Sequence, residues 1–138
     1  MIQGISHITF VVSDLDKTAT LLTKIFDAKE VYSSGDKTFS VAREKFFLAN
    51  GLWIAIMEGP ALPEKTYNHV ALQVKEEDLE EICSRVRDLG LEVKDARSRV
   101  EGEGQSFYFY DYDNHLFELH TGTLEQRLQT YSRTQSHD

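Results

Sequence analysis

The fold of this chain is decided by two similar stretches, SHITFVV at residues 6–12 and YNHVALQV at residues 67–74. In each stretch a small polar residue precedes a histidine, and a run of mostly β-branched and apolar residues follows it. Side chains along a strand alternate between its two faces, so His7, Thr9 and Val11 are predicted to share one face. We therefore interpret His7 and His69 as the same position of a unit that occurs twice.

The first copy predicts the element order βαβββ. Asp14 can cap the helix that follows the first strand. The apolar stripe of this helix is predicted to consist of Leu15, Ala19, Leu22 and Phe26. Strands are then expected over 29–34, 37–49 and 52–57. Asn50-Gly51 joins the last two strands and is the strongest short-range signal for a hairpin.

The second copy repeats this order. The strand at its start leads into a helix whose stripe is predicted to be Leu79, Ile82, Val86 and Leu89, with Gly90 at its end. Strands are expected over 91–95, 106–111 and 116–121, a final helix over about 123–131, and a disordered tail over 132–138. The sequence thus predicts a single α+β domain, 1–138, with module one at about 1–60 and module two at about 66–122.

The composition excludes several classes of function. The 138 residues carry a formal net charge of −8, which disfavours nucleic acid and anionic membranes as partners because both bind basic surfaces. The only cysteine, Cys83, excludes an internal disulfide and a cysteine-based zinc cluster. The N-terminus lacks the pattern of a signal peptide, and no segment approaches the ~18 apolar residues of a membrane span. We therefore expect a cytoplasmic protein with a small-molecule partner.

Three residues form a candidate metal site. Glu118 lies in the apolar strand HLFELH, residues 115–120, where a carboxylate is costly to bury unless it is paired or binds a cation. His7, His69 and Glu118 together make a set of two histidines and one carboxylate, which leaves coordination positions open. A single histidine at the start of a strand is more often a structural residue than a ligand, and for either histidine taken alone this alternative stays open. In the first copy the position that corresponds to Glu118 is predicted to be Ile54, which cannot bind a metal.

The two remaining histidines in these strands and turns give weaker signals. His115 lies in a predicted turn and is expected to be solvated. His120 shares the strand face of Glu118, but nothing in the sequence matches it with a partner.

The tandem βαβββ pattern resembles the vicinal oxygen chelate superfamily, whose members include glyoxalase I, extradiol dioxygenases, bleomycin-binding proteins and fosfomycin-resistance enzymes. The resemblance implies a cupped mixed sheet built from paired modules. Within this superfamily, the stretches 6–18, 46–59, 67–74 and 102–128 look most like fosfomycin-resistance epoxide hydrolases of the FosX type. The most specific stretch is SFYFYDYDNHLFELHTG at residues 106–122.

The resemblance implies a reaction and a cofactor. Enzymes of this type inactivate fosfomycin, a small epoxide phosphonate, by adding water to its ring. The implied metal is Mn(II), held by His7, His69 and Glu118, although such ligands would also accept Fe(II), Ni(II) or Zn(II). Glu44 is implied to be the general base that activates the water. From the residues alone, the alternative is that Glu44 is an exposed edge residue paired with Arg43 or Lys45.

The resemblance also implies contacts to the substrate. The residues that match the phosphonate-binding pattern are Lys94, Arg97, Ser98, Ser106, Tyr108 and Arg127. Thr9 matches a further substrate contact, and Ser106 and Tyr108 are predicted to share one strand face. Trp53 and Tyr67 could either wall the pocket or belong to the core.

Two other functions remain open, and one assembly is expected. The first rival is a thiol transferase that adds glutathione or a bacillithiol-like thiol to fosfomycin. The second is a drug-binding protein of the bleomycin-resistance type that has no metal and no activity. The resemblance also implies a homodimer in which modules from two chains complete each cup.

Overall fold

The computed structural model describes residues 1–37, 41–94, 101–102 and 104–136. The chain divides into two compact units. The first unit consists of Met1–Lys65 and Asp111–His115, and the second of Thr66–Tyr110 and Leu116–Asp138. A short segment that lies in the chain between two strands of the second unit therefore belongs to the first.

The first unit contains a four-stranded sheet and one helix. Its elements are β1 (Ile8–Val12), α1 (Leu15–Phe26), β2 (Lys29–Ser33), β3 (Glu44–Ala49) and β4 (Leu52–Glu58). The strands lie in the order β1-β4-β3-β2, with β1 parallel to β4 and the other pairs antiparallel. The order βαβββ predicted for the first copy is confirmed.

Helix α1 begins and ends at residues with recognisable capping geometry. The Asp14 carboxylate accepts a hydrogen bond from the Lys17 backbone N–H at 3.0 Å, as the sequence predicts. At the other end, Asp27 has a left-handed φ of 52° and its backbone N–H donates to the Leu22 carbonyl. The helix therefore has a fixed length and a fixed entry from β1.

The apolar stripe of α1 differs in part from the prediction. The buried residues are Leu15, Thr18, Leu21, Leu22 and Ile25. The prediction is right for Leu15 and Leu22 and wrong for Ala19 and Phe26, which are only half-buried. Positions 18, 21, 22 and 25 follow the i, i+3, i+4, i+7 spacing of one helix face, and this is the face that the unit buries.

The turn between β3 and β4 is the predicted hairpin. Asn50 and Gly51 have φ values of 47° and 81°, the positive pair that a tight two-residue turn requires. The predicted strand 37–49 is wrong at its start, because β3 begins only at Glu44 and residues 41–43 lie outside it. Pairing stops there because Ser34, the last partner of Glu44, is followed by Gly35 with a φ of 59°.

The second unit has the same plan with a longer helical end. Its elements are β5 (His69–Gln73), a 3-10 helix (Glu76–Asp78), α2 (Leu79–Asp88), β6 (Val93–Lys94), β7 (Ser106–Tyr110), β8 (Leu116–His120) and α3 (Leu124–Ser136). The strands lie in the order β5-β8-β7-β6, with β5 parallel to β8. The predicted order is again confirmed, and Gly90, with a φ of 69°, follows α2 as expected.

Helix α3 is longer than predicted. It begins with a reciprocal cap in which the Thr123 hydroxyl oxygen accepts from the Gln126 N–H and the Gln126 side chain accepts from the Thr123 N–H. It runs on to Ser136, so the prediction of a disordered tail is wrong for residues 132–136. No glycine or proline follows residue 131 to end the helix. Neither α3 nor any other helix within the described residues has the length and apolar character needed to cross a membrane.

Candidate active site

One face of the second sheet carries the predicted site residues of that unit. Residues that are paired across neighbouring strands point to the same face of a sheet. Lys94 is paired with Tyr108, which is paired on its other side with Glu118. Ser106 is paired with His120 at the next position of this face. The prediction that Ser106 and Tyr108 share a face is confirmed, and we call this surface the polar face of the second unit.

His69 and Glu118 form the centre of the polar face. His69 Nε2 lies 3.0 Å from Glu118 Oε1, and the Glu118 side chain is only 6% exposed. His69 Nδ1 lies 2.7 Å from the Tyr67 carbonyl oxygen, which can only accept, so Nδ1 carries a hydrogen. Nε2 is therefore the ring nitrogen that is directed at the carboxylate.

This pair of atoms fits a divalent ion. Metal–ligand bonds of about 2.0–2.2 Å at right angles bring neighbouring donor atoms to about 3 Å from each other. The His69–Glu118 separation of 3.0 Å matches that spacing. The hydrogen bond from Nδ1 to a backbone carbonyl is also the contact that commonly fixes a metal-binding histidine. The second unit thus supplies two of the three predicted ligands at a suitable distance.

His120 lies at the centre of a cluster that the sequence does not reveal. Its Nδ1 is 2.7 Å from Ser106 Oγ and 3.2 Å from Glu118 Oε2, and its Nε2 is 3.4 Å from Arg127 Nη2. Ser106 Oγ in turn donates to Glu118 Oε2 at 2.6 Å. Strand alternation places His120 on the face of Glu118. Its partners come from β7 and α3, whose positions relative to β8 a sequence pattern cannot supply.

Two tyrosines close one side of the polar face. The Tyr67 and Tyr108 hydroxyl oxygens are 3.1 Å apart, and the Tyr67 ring lies 4.9 Å from the His69 ring. Lys94 Nζ is 5.7 Å from the centroid of the Tyr67 ring. Tyr108 is buried, whereas Tyr67 is 50% exposed. Tyr67 therefore borders the His69 site and is not part of a closed core.

The first unit carries an aromatic face that includes His7. The His7 ring stacks on Trp53 with centroids 4.2 Å apart. Trp53 contacts Phe46 edge to face, and Phe46 lies 4.9 Å from Tyr32. The cross-strand partner of Trp53 is Leu48, which is 43% exposed. Trp53 therefore lies on the face that α1 does not cover, and we call this surface the aromatic face of the first unit.

Thr9 and Glu44 lie on the aromatic face. Thr9 is paired with Ala55, and Glu44 is paired with Met57. Because Ala55 and Met57 are two residues apart on β4, their side chains and those of their partners point to the same side of the sheet. Thr9 is exposed and Glu44 is half-buried. Within the described residues, the Glu44 carboxylate has neither a hydrogen-bond partner nor an ion-pair partner.

Two cations flank Glu44 in the chain but are bound elsewhere. Arg43 pairs with Glu58, and this hydrogen bond is the main reason that the pKa of its guanidinium is raised. Lys45 Nζ lies 3.0 Å from Glu30 Oε1 and also contacts Asp16. The hydrogen bond to Glu30 is the main cause of the raised pKa of Lys45. The alternative that Glu44 is paired with Arg43 or Lys45 is therefore wrong.

The position in the first unit that corresponds to Glu118 is Ala55. Thr9, two residues after His7, is paired with Ala55, and Ala71, two residues after His69, is paired with Glu118. The expectation that Ile54 takes this place is wrong, because Ile54 points to the opposite face and is 2% exposed. Neither residue can bind a metal, so the first unit offers no fourth ligand at this position.

The expectation that His115 is solvated is also wrong. Its Nδ1 lies 2.8 Å from Asp111 Oδ2, and its side chain is only 12% exposed. Asp111 Oδ1 accepts from the backbone N–H groups of Asp113 and His115. The buried Asp113 in turn accepts from the Ser13 N–H. His115 thus belongs to a structural turn of the first unit.

The structure does not test two of the predicted phosphonate contacts. Arg97 and Ser98 lie outside the described residues. Within the part of the chain that the structure describes, no group of three or more His, Cys, Asp and Glu side chains is arranged to hold a metal ion.

The chain is a member of a known superfamily. Residues 4–119 match the model of the Glyoxalase/Bleomycin resistance protein/Dioxygenase superfamily. This match covers most of the chain, and the chain therefore belongs to this superfamily. The predicted α+β fold of tandem βαβββ modules is confirmed by the match and by the two sheets.

Known proteins and a solved structure show which members of the superfamily this chain resembles. The chain is 62% identical over 133 residues to the fosfomycin resistance protein FosX of Listeria innocua, a match that covers 96% of this chain and 100% of that protein. A crystal structure of a FosX variant from Listeria monocytogenes, complexed with Mn(II) and 1S,2S-dihydroxypropylphosphonic acid, matches with a TM-score of 0.87 and 58% identity. That match covers 95% of this chain and 99% of the other. The metallothiol transferase FosB of Bacillus licheniformis is 38% identical, over 99% of this chain and 86% of its own length.

Proposed function

We propose that this protein is a Mn(II)-dependent hydrolase that inactivates fosfomycin by adding water to its epoxide ring. The observation that carries this proposal is the product in the related FosX crystal, a phosphonate with two adjacent hydroxyl groups. Water that opens the fosfomycin epoxide gives such a diol. The high identity to FosX proteins over nearly the whole chain supports the same reaction here.

The proposed metal ligands are His7, His69 and Glu118. Their support is the spacing and orientation of His69 and Glu118, together with a His7 ring that Trp53 and Ser6 hold in place. When bound, Mn(II) supplies a Lewis acid that stabilises negative charge on the oxygen of the opening epoxide. Its preference for nitrogen and oxygen ligands agrees with the residues present.

The proposed phosphonate contacts lie mainly on the polar face of the second unit. Arg127, Lys94 and the hydroxyl group of Tyr108 can donate hydrogen bonds to phosphonate oxygens, and charged donors make the strongest of these. Ser106, beside Glu118, is a further proposed contact. Arg97 and Ser98 remain proposed contacts on the basis of the resemblance. Thr9 contributes a hydroxyl from the aromatic face, and Trp53 and Tyr67 are the proposed pocket walls.

Glu44 is the proposed general base. Its carboxylate takes a proton from water while the water oxygen bonds to an epoxide carbon, the carbon–oxygen bond of the ring breaks, and the freed oxygen is protonated to give the diol. The support is its place on the face of Thr9, with both neighbouring cations bound elsewhere. A carboxylate without an ion pair keeps its basic oxygens available.

We propose that the active site is completed in a homodimer by units from two chains, each chain being one domain of two modules. One unit carries His7 and the other carries His69 and Glu118, so each unit holds part of the ligand set. Light scattering of the Mn(II)-loaded protein should report a dimer at concentrations where it is active. An active monomer would contradict this arrangement. We place the protein in the cytoplasm, in agreement with its free Cys83 thiol.

The main rival is thiol transfer, which the FosB relative favours. To separate the two reactions, the Mn(II)-loaded protein is incubated with fosfomycin, with and without glutathione or a bacillithiol-like thiol. The masses of the products are then measured by mass spectrometry. We expect a mass gain of one water with or without thiol. A thiol adduct as the main product would assign the protein to the transferases, and binding without turnover would assign it to the drug-binding proteins.

A further inference from the structure

His120 connects three groups of the proposed site. It contacts Ser106 and Glu118 through Nδ1 and Arg127 through Nε2. Its side chain is only 12% exposed, so these contacts are made away from bulk water. No role for His120 follows from the proposed metal ligands or from the proposed phosphonate contacts.

The hydrogens in this cluster can be assigned by elimination. The Ser106 hydroxyl has one hydrogen and donates it to the Glu118 carboxylate, which can only accept. Ser106 Oγ must then accept from His120 Nδ1, which therefore carries a hydrogen. Arg127 can only donate, so His120 Nε2 accepts from it and carries none. Each ring nitrogen of His120 thus has a polar partner, Ser106 at Nδ1 and Arg127 at Nε2.

These hydrogen bonds form a chain in which each group donates to the next. It runs from the Arg127 guanidinium through His120 and the Ser106 hydroxyl to the Glu118 carboxylate. An imidazole ring can accept at one nitrogen and donate at the other with fixed geometry. Each member restricts the rotation of the next, and hydrogen bonds in such chains strengthen one another.

We propose that His120 is a positioning residue that holds Arg127 in place to receive the phosphonate and keeps the Ser106 hydroxyl directed at Glu118. This inference rests on the proposed function. The contact at Nε2 restricts the position of the Arg127 guanidinium. His120 Nδ1 lies 2.7 Å from Ser106 Oγ and 3.2 Å from Glu118 Oε2, so it fixes the Ser106 hydroxyl beside the carboxylate. His120 itself does not touch the reacting atoms.

The test compares His120→Ala with His120→Asn and the control Gln73→Ala. Gln73 is the exposed cross-strand partner of His120 on β5 and lies outside the proposed machinery. His120→Ala should raise KM for fosfomycin about tenfold, the effect of one lost hydrogen bond to a charged group, with kcat little changed. His120→Asn keeps a donor near the place of Nδ1 and should recover part of this loss. Gln73→Ala should leave both constants unchanged.

A double-mutant cycle separates positioning from general damage to the fold. If His120 acts through Arg127, adding His120→Ala to Arg127→Ala should raise KM further by much less than tenfold. The proposal would be overturned if the effects of the two substitutions on KM multiplied in full, or if kcat fell at constant KM. If His120→Ala does not fold, the cycle is carried out with His120→Asn.

A binding measurement keeps this inference separate from the proposed function. Calorimetry with methylphosphonate, which has no epoxide, measures anion binding to the Mn(II)-loaded protein whether or not the enzyme hydrates fosfomycin. His120→Ala should weaken this binding about tenfold, in parallel with KM. Unchanged affinity for methylphosphonate would overturn the role of His120. Absence of hydration with intact methylphosphonate binding would instead overturn the proposed function.

Discussion

The aromatic face of the first unit and the polar face of the second lie on sheets with the same strand order, yet they carry different chemistry. Within the described residues, the aromatic face carries stacked rings and the carboxylate of Glu44, which has no ion-pair partner there. On the polar face, hydrogen bonds and ion pairs connect His69, Glu118, Ser106 and His120 with Arg127. The two copies therefore share a strand order but present different side chains on these faces.

The clearest difference is between Ala55 and Glu118, which occupy corresponding positions of the two copies. The first copy has only the methyl group of Ala55 next to Thr9. A buried carboxylate in the second copy orders its neighbours and provides a negative charge for a cation. At this position the second copy therefore offers a negative charge and the first copy offers none.

The largest expected effect is that of Glu118→Gln, which would remove the charge at the centre of the polar face. Mn(II) affinity and fosfomycin turnover should fall together, turnover by about 10³-fold or more, because Lewis-acid stabilisation contributes several kcal/mol. Metal titration and kinetics measure the two effects. Glu125→Gln, on the exposed side of α3, is the control. Near-normal Mn(II) binding and turnover in Glu118→Gln would remove Glu118 from the metal site.

Glu44→Gln tests whether the aromatic face supplies the base. The change keeps the shape of the side chain and removes its basic oxygen, so hydration should fall about 10²–10⁴-fold. Mn(II) affinity should stay close to that of the unchanged protein, which separates this result from the effect of Glu118→Gln. Glu30→Gln, a carboxylate on the opposite face of the same sheet, is the control. A hydration rate close to normal would mean that Glu44 is not the base.

Arg127→Ala tests the cation of the polar face. Loss of a charged hydrogen-bond donor should raise KM for fosfomycin about 10–100-fold, since such bonds contribute about 1.5–3 kcal/mol. Mn(II) affinity should change little, because Arg127 is not one of the proposed metal ligands. Arg133→Ala, a neighbouring arginine on the exposed side of α3, should have no effect. An unchanged KM would exclude Arg127 from the phosphonate site.

The smallest expected effects on catalysis come from the two turns that join the last strands of each copy, where substitutions act on stability instead. Gly51→Ala places a side chain at a φ of 81° and should cost about 1 kcal/mol of unfolding free energy. Asp111→Ala removes the acceptor of two backbone N–H groups and of His115 Nδ1, and should cost more, about 2–4 kcal/mol. Denaturant unfolding measures both variants. An equal cost would show that the hydrogen bonds of Asp111 contribute little.

Sequence patterns account for the fold and for the face on which each site residue lies. Strand alternation correctly places Ser106 and Tyr108 together, and the Asn50-Gly51 signal correctly locates the hairpin. Local rules failed where the outcome depends on side-chain geometry that a sequence pattern does not show. His120 depends on β7 and α3, and His115 depends on the Asp111 carboxylate at its own turn. The partners of Arg43 and Lys45 are residues of other elements, which no local pattern identifies.

The Asp111–His115 segment has a consequence for how the chain folds. Its Asp113 carboxylate accepts the Ser13 N–H at 2.9 Å, a contact that spans a sequence separation of 100 residues. During synthesis, the N-terminal unit can form its sheet early but cannot complete this contact until residue 113 has left the ribosome. Contacts of such long range slow folding, because the loop must close before they contribute. A nascent chain that ends at Lys65 therefore still lacks a part of its first unit.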